Sequence, residues 1–150
     1  MTRAAAAILV LLLASFGRAQ STSPAPHGTR FEAVDVMIDP KGAALAAYQL
    51  EFVADASRVK LVGVEGGAHA AFAGPPYYDP AALSRHRVIL AAFSTSSDLP
   101  KGLTRVARLH FQISGDAKPD WSVKLIVASS EKSDSIPATA HLSAAEGAKP

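Results

Sequence analysis

The chain has 150 residues, with 15 Lys+Arg against 13 Asp+Glu, 49% hydrophobic residues and no cysteine. One ordinary domain fits that length and can bury roughly two thirds of its unfolded surface, without disulfide staples and without thiolates to hold a metal. Arg3 and Arg18 fall in a leader segment, so the 130 residues after Gln20 carry 13 charges of each sign, scattered, which excludes an electrostatic footprint for nucleic acid or an anionic membrane.

Residues 1–20 combine a basic start at Arg3, an apolar run from Ala4 to Leu13, and small residues around Ala14–Ser15 and Gly17–Ala19. This is the pattern of a secretory signal peptide cleaved near Ala19 or Gln20, and the apolar run is short of the roughly 18–20 residues a bilayer span needs. No cysteine follows for lipid attachment. The expected product is an exported protein, periplasmic or extracellular, with no membrane insertion after leader removal. Residues 21–29, rich in Ser and Pro, read as a flexible linker.

From residue 30 the dominant signal is alternation of apolar and polar residues at strand period. The first strand is expected over Phe31–Ile38, closed by Asp39-Pro40-Lys41-Gly42, where Pro presets a turn dihedral and Gly tolerates positive φ. Leu45–Val53 follows, with Ala46, Tyr48, Leu50 and Phe52 on one face and Gln49 and Glu51 on the other. A short turn at Asp55-Ala56-Ser57 leads to Arg58–Glu65, predicting a hairpin-like unit that ends at Gly66-Gly67. Between Ala68 and Ser84, Gly74-Pro75-Pro76 and Asp79-Pro80 forbid regular pairing; a short strand at Ala70–Phe72 and one helical turn at Ala81–Ser84 are the only elements expected there. Further strands are expected over Arg87–Phe93, Leu103–Ile113, Trp121–Ala128 and Ala138–Ser143, with frayed residues at 148–150. The prediction is all-β: a jelly-roll-like two-sheet sandwich of about eight to nine strands spanning residues 30–147.

The segment Ala47-Tyr48-Gln49-Leu50-Glu51-Phe52 with Asp55, then Val59-Lys60-Leu61-Val62-Gly63-Val64 and Gly66-Gly67, resembles the second and third strands of cohesin domains. Leu99-Pro100-Lys101-Gly102 leading into Val106-Ala107-Arg108-Leu109-His110-Phe111 resembles that family's glycine turn and the strand after it. The tail from Val123 through Ile126, Ser133-Asp134 and Ala138 to Gly147 is similar to its last two strands. The resemblance implies a flattened jelly-roll sandwich and a non-catalytic adhesive role. No dockerin-like calcium loop or second module accompanies it, and no partner-binding position transfers residue by residue.

The least ordinary local feature is Phe72-Ala73-Gly74-Pro75-Pro76-Tyr77-Tyr78-Asp79-Pro80, three aromatics among three prolines. Rings on such a loop can meet a partner at low entropic cost, or fold back to plug the open end of the sandwich. Tyr77 and Tyr78 are the candidate contacts, with Asp79 either capping the following turn or accepting a hydrogen bond from a ligand. Gly66-Gly67-Ala68-His69 precedes no helix, so it reads as a strand terminus or bulge rather than a phosphate loop. His69, His86 and His110 lack partners at metal-ligand spacing, and neither metal nor cofactor is expected. Arg85, His86 and Arg87 read as a solvated strand entrance. Ser94, Ser96 and Ser97 lack a nucleophile-elbow pattern, and Glu51, Glu65, Asp79 and Asp98 are dispersed. The expected function is therefore a non-enzymatic binding module for another exported or envelope protein. One alternative is a carbohydrate-binding module, which requires Tyr77, Tyr78 or Trp121 exposed in a planar arrangement for a polysaccharide; another is a small secreted hydrolase, which requires Asp, Glu, His or Ser side chains converging in one cleft.

Overall fold

The computed structural model describes residues 28–145 except 55–57, 84 and 117. The leader, most of the linker, the Asp55-Ala56-Ser57 turn and the terminal residues lie outside the described residues. Seven strands are present: β1 (Thr29–Asp39), β2 (Ala47–Ala54), β3 (Val59–Glu65), β4 (Arg87–Phe93), β5 (Thr104–Ser114), β6 (Trp121–Ser129) and β7 (Thr139–Ala144). They form two antiparallel sheets, β3-β5-β1-β7 and β4-β2-β6. The all-β sandwich read from period-two alternation is present. The strand count is seven among the described residues rather than eight to nine, because Ala70–Phe72 is a 3-10 turn. That turn is capped by His69, whose Nδ1 accepts from the Ala71 amide at 3.2 Å. The helical turn expected at Ala81–Ser84 is a 3-10 turn over Pro80–Ala82.

Odd-numbered strands all lie in one sheet and even-numbered strands in the other, so every connection crosses the sandwich. The ladders are nested: β1 with β7, β2 with β6 and β3 with β5, leaving β4 as the strand where the chain turns back. That is a rolled antiparallel ribbon, the logic of a jelly roll. It corrects the hairpin expected of β2 and β3. Tyr48, Leu50 and Phe52 of β2 and Val59 and Leu61 of β3 are all buried, so the two strands face one another across a shared core instead of pairing side by side. The linker is also shorter than expected, since Thr29 already pairs with Ser114.

Phe52, Leu50 and Leu90 from one sheet meet Val36, Ile38, Leu61, Leu109, Phe111 and Ile113 from the other. Phe52 and Phe111 lie 5.3 Å apart and nearly parallel, and Trp121 tilts onto Phe111 at 4.5 Å. Turn chemistry follows the sequence at residues 39–42. The Asp39 carboxylate accepts from the Lys41 amide at 2.9 Å, and Lys41 and Gly42 adopt φ of 53° and 90°.

Three bulges interrupt the ladders, at Val62, Val106 and Ile126. The one in β5 matters most. Val36 pairs with Ala107 and Met37 with Arg105, leaving Val106 without a β1 partner. Its carbonyl instead accepts the Tyr48 hydroxyl at 3.0 Å from the opposite sheet, so the bulge becomes a polar latch between sheets. Burial pushes the Tyr48 phenol well above its ordinary value, which keeps it a donor.

Candidate functional site

The proline-rich loop runs along the outer edge of β4. Tyr77 donates its amide to the Ala91 carbonyl at 2.7 Å and accepts from the Ala91 amide at 3.0 Å, forming a one-residue bridge. Pairing fixes side-chain direction, because residues opposite one another in a ladder share a face. Tyr77 therefore projects on the outer face with Ala91, and the same row continues through Gln49 to Val127. The next row holds Phe93, Ala47 and Ser129; the one on the other side holds Ile89, Glu51 and Lys124.

This places Tyr77 beside Phe93. Their rings are parallel within 8°, with centroids 6.3 Å apart, and are 70% and 65% exposed. Ile89, Ile126 and Val127 are also exposed on this sheet. Ile126 is the extra residue of the β6 bulge, which widens the apolar edge by one side chain. On the same face Arg87 pairs with Glu51. The outer face thus carries Tyr77, Phe93 and Ile89 along its β4 edge and Ile126 and Val127 along its β6 edge, with Gln49 and Glu51 of β2 between them.

The three expected site residues separate. Tyr77 is exposed on this face, Tyr78 is part-buried and packs against the core, and Asp79 spends Oδ1 on the Ala81 amide at 2.9 Å, capping the following turn. Phe72 is buried edge-on against Tyr48, at 5.3 Å. The loop thus both plugs the sandwich and presents one ring. Trp121 packs on Phe52 and Phe111 rather than standing free. Phe93, Ile89, Ile126 and Val127 were absent from the sequence-based candidates. Their signal was available in part: Ile89, Ala91 and Phe93 form an apolar row on the face of β4 opposite Val88, Leu90 and Ala92.

Other candidates resolve into local structure. The Ser94 hydroxyl accepts from the Ser96 amide and the Ser96 hydroxyl from the Asp98 amide, so both serve turns. His110 contacts Glu65 at 2.8 Å across the β3–β5 ladder. Gly66 is a close-approach residue: a Cβ there would lie 2.0 Å from the Ala73 carbonyl oxygen. Among the described residues no cluster of three or more His, Cys, Asp or Glu side chains is arranged to hold a metal ion. The chain matches no protein-family model, no curated protein and no solved structure.

Proposed function

We propose that this chain is an exported, non-catalytic binding module, periplasmic or extracellular, that uses the outer face of the β4-β2-β6 sheet to hold another exported or envelope protein. The observation that carries the reading is the exposed, parallel Tyr77–Phe93 pair held at the β4 edge of this sheet, with Ile89 exposed on the same strand. Large rings held by backbone pairing lose little side-chain entropy on binding, and their burial supplies most of the affinity in small interfaces. The Tyr77 bridge to Ala91 holds the loop in place before any partner arrives. The cohesin-like pattern of strands, with its flattened jelly-roll sandwich and adhesive role, agrees with this reading.

A second reading has its own support. Two parallel exposed rings also suit the face of a sugar, so a polysaccharide is the alternative ligand of the same surface. Capture experiments with Tyr77→Ala and Phe93→Ala, using protein and polysaccharide baits side by side, separate the two. Loss of a protein partner in both variants supports the first reading, and loss of polysaccharide retention alone supports the second.

A further inference from the structure

Each sheet of the sandwich has two outer strands, and an outer strand whose backbone groups are open is a template for pairing with another chain. β3, β4 and β6 are blunted. β3 carries the Val62 bulge with Lys60 and Glu65, and β6 carries the Ile126 bulge with Lys124. β4 is occupied at Ala91 by the Tyr77 bridge, beside Pro75 and Pro76. The fourth outer strand, β7, reads Thr139-Ala140-His141-Leu142-Ser143-Ala144. It has no Lys, Arg, Asp, Glu or Pro, and it pairs with β1 without a register shift.

The ladder fixes which β7 groups are open. The Gly28 carbonyl accepts from the Gly115 amide at 2.9 Å and the Ala33 carbonyl from the Ala145 amide at 3.4 Å. Even-numbered residues of β1 therefore turn their backbone groups to β5 and odd-numbered ones to β7. Asp39, Met37 and Asp35 bond with Thr139, His141 and Ser143. Ala140, Leu142 and Ala144 then point their N–H and C=O groups away from β1, to the open side. Among the described residues Ala140 and Leu142 have no backbone partner there, and the Ala144 carbonyl meets only the adjacent Ser143 hydroxyl, at 3.3 Å. β6 of the other sheet comes close to β7 but forms no ladder with it.

We infer that β7 pairs with β7 of a second copy of this chain, antiparallel about a two-fold axis through Leu142, joining two four-stranded sheets into one. The strand is self-complementary in that register. Leu142 lies opposite Leu142 of the second copy and Ala140 opposite its Ala144, so open N–H groups meet open C=O groups and these side chains share the core-facing side. On the outer side His141 lies opposite a Ser143 hydroxyl, and no like charges meet. The half-buried Ala140 and Leu142, which pack against the core, lose their remaining contact with water. A contact of one six-residue strand with another lies at the small end of interfaces, so the dimer is weak and concentration-dependent. It uses neither Tyr77 nor Phe93.

The test is sedimentation velocity of protein purified from cells expressing the full chain, from about 1 μM to about 1 mM, with a monomer giving way to a dimer as concentration rises. Ala140→Pro removes an N–H that faces the open side and leaves the β1 ladder intact, so it is expected to weaken association about tenfold or more at nearly unchanged melting temperature. Register is read by cross-linking. The chain has no cysteine, so Leu142→Cys adds its one thiol. Across the two-fold axis the paired Cα atoms stand about 5.5 Å apart, within the roughly 4.4–6.8 Å that a disulfide spans, and mild oxidation is expected to link the dimer. Ala140→Cys is expected not to link, because the two thiols are offset by about 13 Å along the strands. A monomer at about 1 mM, unchanged association of Ala140→Pro, or cross-linking of Ala140→Cys as efficient as that of Leu142→Cys would overturn the proposal. Should Ala140→Pro lose its melting transition, Ala144→Lys places an ammonium group on an exposed position of the same edge. It is expected to weaken association about tenfold, and unchanged association would overturn the proposal equally.

Discussion

Replacing Tyr48 with Phe removes one oxygen atom and leaves the ring, which is 2% exposed, in place against Phe72. The lost hydroxyl is the group that satisfies the carbonyl of Val106, the bulge residue that β1 leaves unpaired. A typical hydrogen bond contributes about 0.5–1.5 kcal/mol net, but a buried acceptor stranded without a partner raises the cost to about 1–3 kcal/mol. With a urea m-value of about 2 kcal/mol/M, a loss of about 2 kcal/mol lowers the unfolding midpoint by about 1 M at unchanged slope. The pH dependence is a second handle. A phenol whose folded pKa is raised contributes its stabilisation in full below the unfolded value of 10.0 and loses it as pH rises above that value. One pH unit above it, the wild type therefore loses about 1.4 kcal/mol that Tyr48→Phe cannot lose, and the gap between the two proteins narrows by that amount. Urea unfolding of both proteins at neutral and alkaline pH measures the two effects together. Equal midpoints at neutral pH, or a gap that stays constant on the alkaline side, would refute the latch.

Gly66→Ala should cost about 3 kcal/mol in thermal or urea unfolding, because its Cβ would meet the backbone of Ala73 and Gly74 at 2.0–2.6 Å, whereas Gly74→Ala, with nothing within 4 Å, should change stability by no more than about 0.5 kcal/mol. Asp35→Asn, which breaks the two-point fork from Arg108, should destabilise by about 2 kcal/mol, less than the roughly 3–5 of a fully buried pair because the Arg108 side chain keeps 21% exposure, and an unchanged melting temperature would show that the fork contributes nothing. Tyr78→Ala should cost about 2 kcal/mol and Tyr77→Ala less than about 1 kcal/mol, since only Tyr78 packs on the core; similar losses in differential scanning calorimetry would contradict that division. The Asp39 carboxyl is held below its ordinary value by the hydrogen bonds it accepts from Lys41, so its stabilising contribution is present above 3.8 and lost as pH falls through the folded value; acid unfolding of Asp39→Asn should lack this component.

Strand positions were legible because burial on one face imposes a period of two: Tyr48, Leu50 and Phe52 and again Leu109, Phe111 and Ile113 stand out without any knowledge of neighbours. The order of the sheets was not. A short turn such as Asp55-Ala56-Ser57 serves a hairpin or a crossover equally well, and only packing of β2 against β3 across the core decides between them. The β5 bulge was hidden for a related reason. Val106 and Ala107 are both small and apolar, so nothing local marks them as two successive inward residues, and the meeting of Arg105 with Arg108 and Asp35 depends on that irregularity.

The candidate face was half legible. Tyr77 stood out through its prolines, but its stacking partner Phe93 sits at the end of a separate strand, and only the bridge between Tyr77 and Ala91 brings the two rings together. The loop also divides its labour in a way composition cannot express. Tyr78 and Phe72 stabilise the sandwich, Asp79 caps a turn, and Tyr77 alone faces outward.

The most direct test of the binding face is quantitative affinity capture from exported and envelope extract of the native source, comparing residues 21–150 with a Tyr77→Ala/Phe93→Ala form of matched melting temperature. The account predicts a specific protein retained by the first and reduced at least tenfold with the second. Retention of the same protein to the same extent by both would contradict it.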